Sequence, residues 1–436
     1  MAKSGTAWRF SAAAALAVAF LLVAALASQA AFNLNLVSKA SNGDPAADGN
    51  SYLRSNGGSL SGDGKIAVFQ SDSSNLPRGD GSTDRIYVRN LQTGKTRLVS
   101  VKSNGKPATG ETQNPSISAN GRYVGFSGSG EGLPGSDPNI SQVWVHDLKT
   151  HVTRLVSRDK DGDAASGGYS EYPSFSRDGR LVAFVSDATS LPGPAGDQVV
   201  YVRDMERGKT LVGSKTDGGD PAFADLYGQA LSSDGRRLVF WSSDADLPHG
   251  DGSTEHVYVR DLETGNVELA DRANDGEVAD DDSADAAISA SGGHVAYESD
   301  GSNLPGGAGT GRQVYLRDLG REKTILVSRN SSGEPMEGSA DADFVHPSAD
   351  GRYVAFRSNG GNLPGGDGIT EQIYIRDMRQ GETKLLSKNA GGDPGDDTST
   401  DPSVSTDGAW VLFNSSATNL GGSSAGYDVF RAGPLG

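Results

Sequence analysis

A short motif recurs along nearly the whole chain at an almost constant spacing. The motif is Ser-x-[Asp/Asn/Ser]-Gly, and its glycine falls at Gly64, Gly121, Gly179, Gly235, Gly292, Gly351 and Gly408. Successive glycines are 57, 58, 56, 57, 59 and 57 residues apart. A period this regular indicates seven copies of one structural unit, either stacked in a row or arranged around an axis.

Each copy contains four short stretches with the residue pattern of β-strands. In one copy the first stretch ends at Asp350-Gly351, and an apolar stretch follows at once. Asp-Gly between two apolar stretches predicts a tight hairpin, because both central residues of the favoured turn take positive φ. The next two stretches, 372–376 and 383–387, flank Gly381 and predict a second hairpin. Val, Ile, Tyr and Phe are frequent in these stretches and suit a pleated, packed surface.

The repeat predicts an all-β protein built as a seven-bladed β-propeller. Four antiparallel strands form a small sheet that cannot bury both of its faces alone, so neighbouring copies must cover it. Radial packing around an axis buries both faces and protects the strand edges. A β-sandwich and a β-helix are the structural alternatives.

The two ends of the repeat region predict how the ring closes. Residues 33–38 have the pattern of a fourth strand, whereas residues 427–431 have the pattern of a third strand. The last unit therefore lacks its outer strand, and the early residues supply it. We expect a composite blade made of residues 404–431 and 33–39.

The repeat also resembles a known family. The segment from Pro173 to Phe184 reads PSFSRDGRLVAF, and the segment from Val200 to Met205 reads VYVRDM. This pattern resembles the WD40-like (PD40) repeat of TolB-like propellers, over essentially all of the chain after residue 30. The resemblance implies a propeller fold. It does not single out a function, since such propellers act as protein docking platforms, peptidase accessory domains and lyases.

The first 30 residues have the pattern of a secretory signal peptide. A short basic start is followed by an apolar stretch from Phe10 to Ala27, and Ser28-Gln29-Ala30 places small residues before a cleavage site. We therefore predict a signal peptide at 1–30 and the propeller at 31–436. The protein is expected to be exported to the periplasm or the extracellular space, with no membrane insertion after signal removal. An uncleaved membrane anchor is the alternative.

The charge pattern restricts the partners. The net charge is −17, which argues against nucleic acid and anionic membranes as partners and permits cations and basic proteins. Most of the 56 Asp and Glu residues fall in the long loops after the second and fourth strands, which share one face of the ring. An acidic loop face is explained either by solubility or by ligand binding. A monomer is expected.

Three similar loops suggest a calcium site. They read GDGSTD, GDGSTE and GDGITE and place two carboxylates four residues apart, with a glycine and a hydroxyl between them. Such oxygens suit calcium, although charged loops of this kind are often simply solvated. The candidate metal ligands are Asp80, Asp84, Asp251, Glu255, Asp367 and Glu371. No other cofactor is indicated.

Aromatic residues gather where each fourth strand leads into the next first strand, near the expected mouth of the central channel. They are Tyr52, Tyr169, Tyr172, Phe223, Tyr227 and Phe344. This position suits sugar stacking or anchoring of a peptide, but plugging of the top of the core is the favoured explanation. His346 lies on a predicted innermost strand and is expected to face the channel.

The sequence favours binding over catalysis. It has no cysteine and no Gly-x-Ser-x-Gly motif, and its six histidines do not have zinc-ligand spacing. We therefore expect a non-enzymatic platform that binds an envelope or extracellular protein, or a polysaccharide, through its acidic loop face. The alternative is a calcium-assisted polysaccharide lyase or glycosidase that uses loop carboxylates at the channel mouth. The repeated arginine of the Tyr-x-Arg-Asp segments is expected to hold neighbouring blades together.

Overall fold

A computed structural model describes residues 33–53, 58–193, 196–225, 230–307, 311–337, 345–423 and 426–435. Within these ranges no helix is long and apolar enough to cross a membrane. The helical element in this part of the chain is one 3-10 turn, Thr418–Leu420. The predicted signal peptide lies outside the described residues.

The described residues form 27 short strands. They are β1 (Asn33–Leu36), β2 (Ser51–Tyr52), β3 (Ile66–Ser71), β4 (Arg85–Asn90), β5 (Lys95–Leu98), β6 (Thr112–Ile117), β7 (Tyr123–Gly128), β8 (Gln142–Asp147), β9 (Thr153–Leu155), β10 (Ser170–Phe175), β11 (Leu181–Ser186), β12 (Val199–Asp204), β13 (Lys209–Val212), β14 (Arg237–Ser242), β15 (His256–Asp261), β16 (Val267–Leu269), β17 (Ser283–Ile288), β18 (His294–Ser299), β19 (Gln313–Asp318), β20 (Lys323–Leu326), β21 (His346–Pro347), β22 (Tyr353–Ser358), β23 (Gln372–Asp377), β24 (Glu382–Leu385), β25 (Ser399–Val404), β26 (Val411–Ser415) and β27 (Asp428–Gly433).

These strands form seven sheets, which are the seven blades of a propeller. Blades one, two and three have the orders β2-β3-β4-β5, β6-β7-β8-β9 and β10-β11-β12-β13. Blades five and six have the orders β17-β18-β19-β20 and β21-β22-β23-β24. Each strand pairs antiparallel with the next along the chain, so the predicted hairpins and the seven-bladed fold are confirmed.

Blade four has three named strands, β14-β15-β16, in its described part. Isolated bridges from Asp225 to Trp241 and from Leu231 to Leu238 mark the inner side of this blade. Residues 226–229 lie between the two bridges and outside the described residues. Both bridges lie where the repeat predicts the first strand of this unit.

Blade seven joins the two ends of the ring, as the sequence predicts. Its order is β25-β26-β27-β1, with the early strand on the outer edge. The pairing runs from Asn33 opposite Gly433 to Leu36 opposite Phe430. Ser38, just after β1, donates from Oγ to Oδ1 of Asp428 at 2.6 Å and accepts from the amide of Val429 at 3.1 Å. The ring is thus closed by contacts between residues almost 400 positions apart.

The apolar core lies between blades, and each core cluster contains residues of two neighbouring units. Each blade also stacks one ring of its second strand on one ring of its third strand, with centroids 5.6–5.9 Å apart. Such pairs stabilise beyond their buried area. The repeated Val, Ala and Phe positions are therefore explained by packing alone.

Arginines of the third strands tie successive blades together, as expected. Arg89 donates through Nη1 to the carbonyls of Lys39 and Ala40, which belong to the preceding unit. Arg376 contacts the carbonyls of Arg329 and Asn330 in the same way. These repeated arginines stabilise the ring and are not part of a ligand site.

Candidate functional site

At the face that carries the tight turns, backbone hydrogen bonds join neighbouring blades around the central channel. A backbone amide beside each Asp-Gly turn donates to a carbonyl beside the turn of the next blade, which gives seven bonds around the ring. These bonds join Gly62 to Ala119, Asn120 to Arg177, Arg177 to Ser233, Ser233 to Ala290, Ser291 to Ala349, Ala349 to Thr406 and Asp407 to Gly62. The belt returns to its starting residue, so it holds the seven inner strands close together at this end.

Apolar side chains narrow the channel just above the belt. Ile117, Phe175, Ile288 and Val404 end their inner strands here and are almost fully buried. A cavity of about 30 Å³ remains on the axis and is lined by residues from all seven blades. A space of this size holds one or two water molecules and is too small for an organic ligand.

His346 lines this axial cavity. Its predicted binding role at the channel mouth stays a prediction. Its Nδ1 accepts from the amide of Val404 at 3.3 Å, whereas its Nε2 is buried with no protein partner among the described residues. Burial lowers the pKa of His346 to about 4. The imidazole is therefore neutral at physiological pH.

The channel is wider at the loop face, where the inner strands begin. Several side chains there are partly exposed although they lie on innermost strands, in contrast to the buried strand ends. We call this set the inner wall: Gln113, Glu171, Tyr172, Asp285, Thr400 and Asp401. The described channel is thus a funnel that opens on the acidic loop face and narrows toward the other end.

A β-bulge shapes the inner wall. The pairing of the first and second strands slips in blades two, three, five and seven. The bulged residues adopt the left-handed conformation, with φ between +49° and +58°: Asn114, Tyr172, Asp285 and Asp401. A bulge re-aims a strand next to a site. The sequence carried a signal for it, since Gly, Asn and Asp, which tolerate positive φ, recur seven residues before the turn glycine.

A second ring of side chains surrounds the inner wall. We call it the rim, and it consists of the residues just before each third strand: Asp84, Ser141, Gln198, Glu255, Arg312, Glu371 and Tyr427. All seven are partly exposed. In six of the seven, the backbone carbonyl accepts a hydrogen bond from the start of the next blade's inner region, as between Glu255 and Ser283. The fold therefore uses the rim's backbone and leaves its side chains facing the funnel.

Two glutamates of the funnel are held partly desolvated. Burial raises the pKa of Glu171, which lies 3.4 Å from Nε2 of Gln113 and also accepts from Ser141. Burial and the nearby charge of Asp282 raise the pKa of Glu255. A partly desolvated carboxylate attracts an incoming cation more strongly than a fully hydrated carboxylate does, because the local dielectric constant is lower.

Two arginines lie among these acids. Arg357 contacts Glu371 with 3.4 Å between Nη1 and Oε2. Arg312 contacts Asp300 with 3.0 Å between Nε and Oδ2, and it also interacts electrostatically with Glu298 and Asp285. The six carboxylates of the wall and rim outnumber these two arginines, so the funnel is negative overall.

In each predicted calcium loop, the first carboxylate is hydrogen-bonded to the backbone of its own loop. Asp80, Asp251 and Asp367 each accept hydrogen bonds from the amides two and three residues further on and from a nearby hydroxyl. In Asp251 and Asp367 these contacts, the threonine amide first, lower the pKa. Asp80 is also paired with Arg85.

The second carboxylates of the same loops, Asp84, Glu255 and Glu371, belong to the rim. Within the described ranges no three His, Asp or Glu side chains are grouped so that they would hold a metal ion. Calcium binding to these loops stays a prediction.

The predicted aromatic residues do not form one platform. Tyr52 stacks at 5.4 Å on Tyr427 of the rim, and the Tyr169 hydroxyl contacts Gln198. Tyr172 packs against the core cluster of blades three and four, which is the plugging role. Phe223 is 38% exposed on the loop face. Tyr227 and Phe344 lie outside the described residues.

Comparisons with known proteins identify the fold. No protein-family model matches the sequence, and no curated protein matches it. An oligogalacturonate lyase from Vibrio parahaemolyticus is 15% identical with a TM-score of 0.55, covering 93% of this chain and 94% of the lyase. The β-propeller domain of the Trilobed protease from Pyrococcus furiosus is 12% identical with a TM-score of 0.52, covering 86% of this chain and 93% of that one.

TolB from Acinetobacter baumannii is a further similar structure, at 16% identity and a TM-score of 0.40. The match covers 69% of this chain and 58% of TolB, so the chain spans less than two thirds of TolB's length. At these identities the likenesses are in fold. The Pyrococcus domain is described as having an open velcro topology, whereas β1 closes the ring in this chain.

Proposed function

We propose that this chain is an exported, non-enzymatic binding protein whose funnel holds a positively charged segment of a partner protein. The partner is an envelope or extracellular protein that presents lysine or arginine side chains. One observation carries the proposal: the described channel is open on the acidic loop face, narrow at the other end, and lined by six carboxylates against two arginines.

The shape of the funnel strengthens its field. A cleft lined by one sign of charge with low-dielectric walls concentrates the potential and attracts ligands of opposite sign. The acidic loops above the rim add to this potential, and five acids fall within residues 275–282 alone. A cationic side chain that enters the funnel meets Glu171 and Glu255, whose carboxylates are already partly desolvated. Part of the free energy needed to desolvate those carboxylates is therefore spent when the protein folds and not when the ligand binds.

The second candidate is an enzyme that acts on an acidic polysaccharide, such as a calcium-assisted lyase or a glycosidase. Two observations favour it. The glutamates with raised pKa have the property that a general acid requires. Arg312 and Arg357 offer guanidinium groups to a sugar carboxylate, and one protein of similar fold is an oligogalacturonate lyase.

Binding of a basic peptide tests the first proposal. The protein without residues 1–30 is titrated with an oligolysine peptide by calorimetry at two salt concentrations. The funnel variant combines Glu171→Gln and Glu255→Gln. The matched control combines Asp246→Asn and Asp275→Asn, which removes the same charge from exposed loop positions. We expect the funnel variant to bind about tenfold or more weakly and the control to lose about threefold at most.

Equal losses in the two variants would show only general attraction to an acidic surface and would contradict the proposal. The second candidate is tested separately with oligogalacturonate, with and without calcium. Lyase activity would appear as an unsaturated product that absorbs ultraviolet light, and glycosidase activity as new reducing ends. Turnover that is lost with Glu171→Gln would favour the enzyme.

A further inference from the structure

A groove on the outer side of the ring, between blades one and two, is lined by basic and apolar side chains. Its volume is about 390 Å³, and it is lined by Pro77, Arg78, Arg97, Leu98, Val101, Gly105, His146 and His151. None of these described lining residues is acidic. A basic groove in a protein of net charge −17 calls for a physical explanation.

Two of the lining residues depart from the repeat in a strained conformation. Arg78 follows Leu-Pro at a position where blades two, five and six have glycine, and its φ is +65°. His151 stands in a turn where blades one, three, four and six have glycine, and its φ is +59°. A side chain in the left-handed region is strained, and such strain concentrates at functional sites.

A third departure faces the same groove. His146 occupies the place of the arginine that ties blades together in the other units. It keeps the local contact of that arginine, since its Nδ1 lies 2.9 Å from Oγ1 of Thr153, as Nη1 of Arg89 lies 2.7 Å from Oγ1 of Thr96. The imidazole ring lies 6.2 Å from that of His151. Three independent departures from one repeat thus meet in a single groove.

We propose that this groove binds an oxyanion, in the form of a phosphate group carried by a ligand with a small apolar part. Arg78 and Arg97 supply the charge, and each contacts one backbone carbonyl, of Gly105 and Leu148 respectively. A guanidinium has five N–H donors in a planar fork that matches oxyanion geometry, so donors remain for the ligand. Pro77, Leu98 and Val101 provide the apolar surface beside it.

The electrostatics of the groove agree with this ligand. Burial, then the charge of Arg97 and then that of His151, lower the pKa of His146 to about 4. The nearest acid to this histidine in the same strand, Asp147, is paired with Arg122 through contacts of 2.7 and 3.0 Å. A bound anion would therefore raise the pKa of His146.

Histidine-detected NMR titration tests the proposal, with inorganic phosphate and phenyl phosphate as probes and chloride at equal ionic strength as reference. The variants are Arg97→Gln and Arg78→Gly. Arg78→Gly restores the residue of blades two, five and six, so its unfolding temperature should be no lower than that of the wild type. The matched control is Arg154→Gln, because Arg154 occupies in blade two the repeat position that Arg97 occupies in blade one.

We expect saturable shifts of the His146 and His151 signals, with phenyl phosphate binding more tightly than inorganic phosphate. Arg97→Gln and Arg78→Gly should weaken this binding about tenfold or more, and Arg154→Gln should leave it within about twofold. Shifts that only follow ionic strength, or equal affinity in all four proteins, would overturn the proposal. Tighter binding of inorganic phosphate than of phenyl phosphate would refute the proposal that the ligand has an apolar part.

Discussion

Replacing Ser38 with Ala should weaken the closure of the ring more than the same change weakens any ordinary blade. The Ser38 hydroxyl donates to the carboxylate of Asp428 and accepts from the amide of Val429. The variant therefore removes one hydrogen bond from this carboxylate, which keeps its contact with the Ser423 amide, and leaves the Val429 amide without its Ser38 partner. Asp428 is 1% exposed. Loss of a hydrogen bond to a charged group costs about 1.5–3 kcal/mol, and loss of a neutral hydrogen bond costs about 1 kcal/mol. We therefore expect the free energy of unfolding of Ser38→Ala to fall by about 2–4 kcal/mol.

Ser328→Ala is the matched control because Ser328 occupies the same position in blade five. Its hydroxyl accepts from the amide of Val314 at 2.9 Å and donates to the neutral amide oxygen of Gln313 at 2.6 Å. Because this variant loses two neutral hydrogen bonds, we expect its free energy of unfolding to fall by about 1–2 kcal/mol. Urea unfolding followed by tryptophan fluorescence measures both variants, and Trp410 in blade seven reports locally because it packs against Arg431 at 4.0 Å.

The difference between the two variants should depend on pH. Burial raises the pKa of Asp428, and the Ser38 hydroxyl opposes this rise. Without Ser38 the pKa rises further, so the charged carboxylate destabilises the fold at neutral pH and its protonation at lower pH removes that cost. The deficit of Ser38→Ala should therefore shrink as the pH falls through the folded pKa of Asp428. The deficit of Ser328→Ala should not change in this range.

Equal free-energy losses for the two variants, with the same pH dependence, would refute the reasoning about closure. A double-mutant cycle sharpens the test. In an Asp428→Asn background the acceptor carries no charge, so Ser38→Ala should cost about as much as Ser328→Ala, roughly 1–2 kcal/mol.

Two further predictions concern charged groups on the loop face. Burial lowers the pKa of His256, but the hydrogen bond to Asp271 at 2.7 Å outweighs burial, and the net pKa is raised. The stability of the wild type should therefore fall as the pH rises through the folded-state pKa of His256. His256→Gln with Asp271→Ser restores the Gln–Ser pair of blade five and should flatten that slope in thermal unfolding; an unchanged slope would contradict this assignment. Calcium binding at the Gly-Asp-Gly loops predicts a higher unfolding temperature in millimolar calcium than in EDTA, a shift lost with Glu255→Gln; equal temperatures in both buffers would refute it.

The ring and its closure were predictable because they depend on patterns that survive in every copy. A strand pattern at residues 33–38 and a missing fourth strand after β27 imply each other once the period is known. The bulge in the inner strands was missed because Tyr172 interrupts the run of Gly, Asn and Asp that favours positive φ. Packing of Tyr172 against the neighbouring core offsets the cost of that conformation, and such packing is not visible in a local sequence pattern.

The candidate site was less predictable, for a specific physical reason. An aspartate followed two and three residues later by Ser or Thr is a ligand pattern for calcium and equally a turn that is closed by its own amides and hydroxyls. The sequence of the loop at Asp251 is compatible with both, and only the structure shows that the carboxylate contacts Ser253 and Thr254. The convergence of Glu171, Glu255 and Arg312 on one funnel depends on the closure of the ring.

The seven copies also act as controls for one another, because a residue that the fold requires should recur at its position. The serine that bonds to the third strand does recur in six blades, and the exception is Asp271. The rim shows the opposite behaviour. Four of the positions that support the same backbone bond carry chemically distinct groups, namely those of Ser141, Gln198, Glu255 and Tyr427. Because the fold uses only the backbone carbonyl of a rim residue, the side chain at a rim position can change to suit a ligand without loss of that hydrogen bond. If the funnel binds a partner as proposed, we expect the rim side chains to set its specificity.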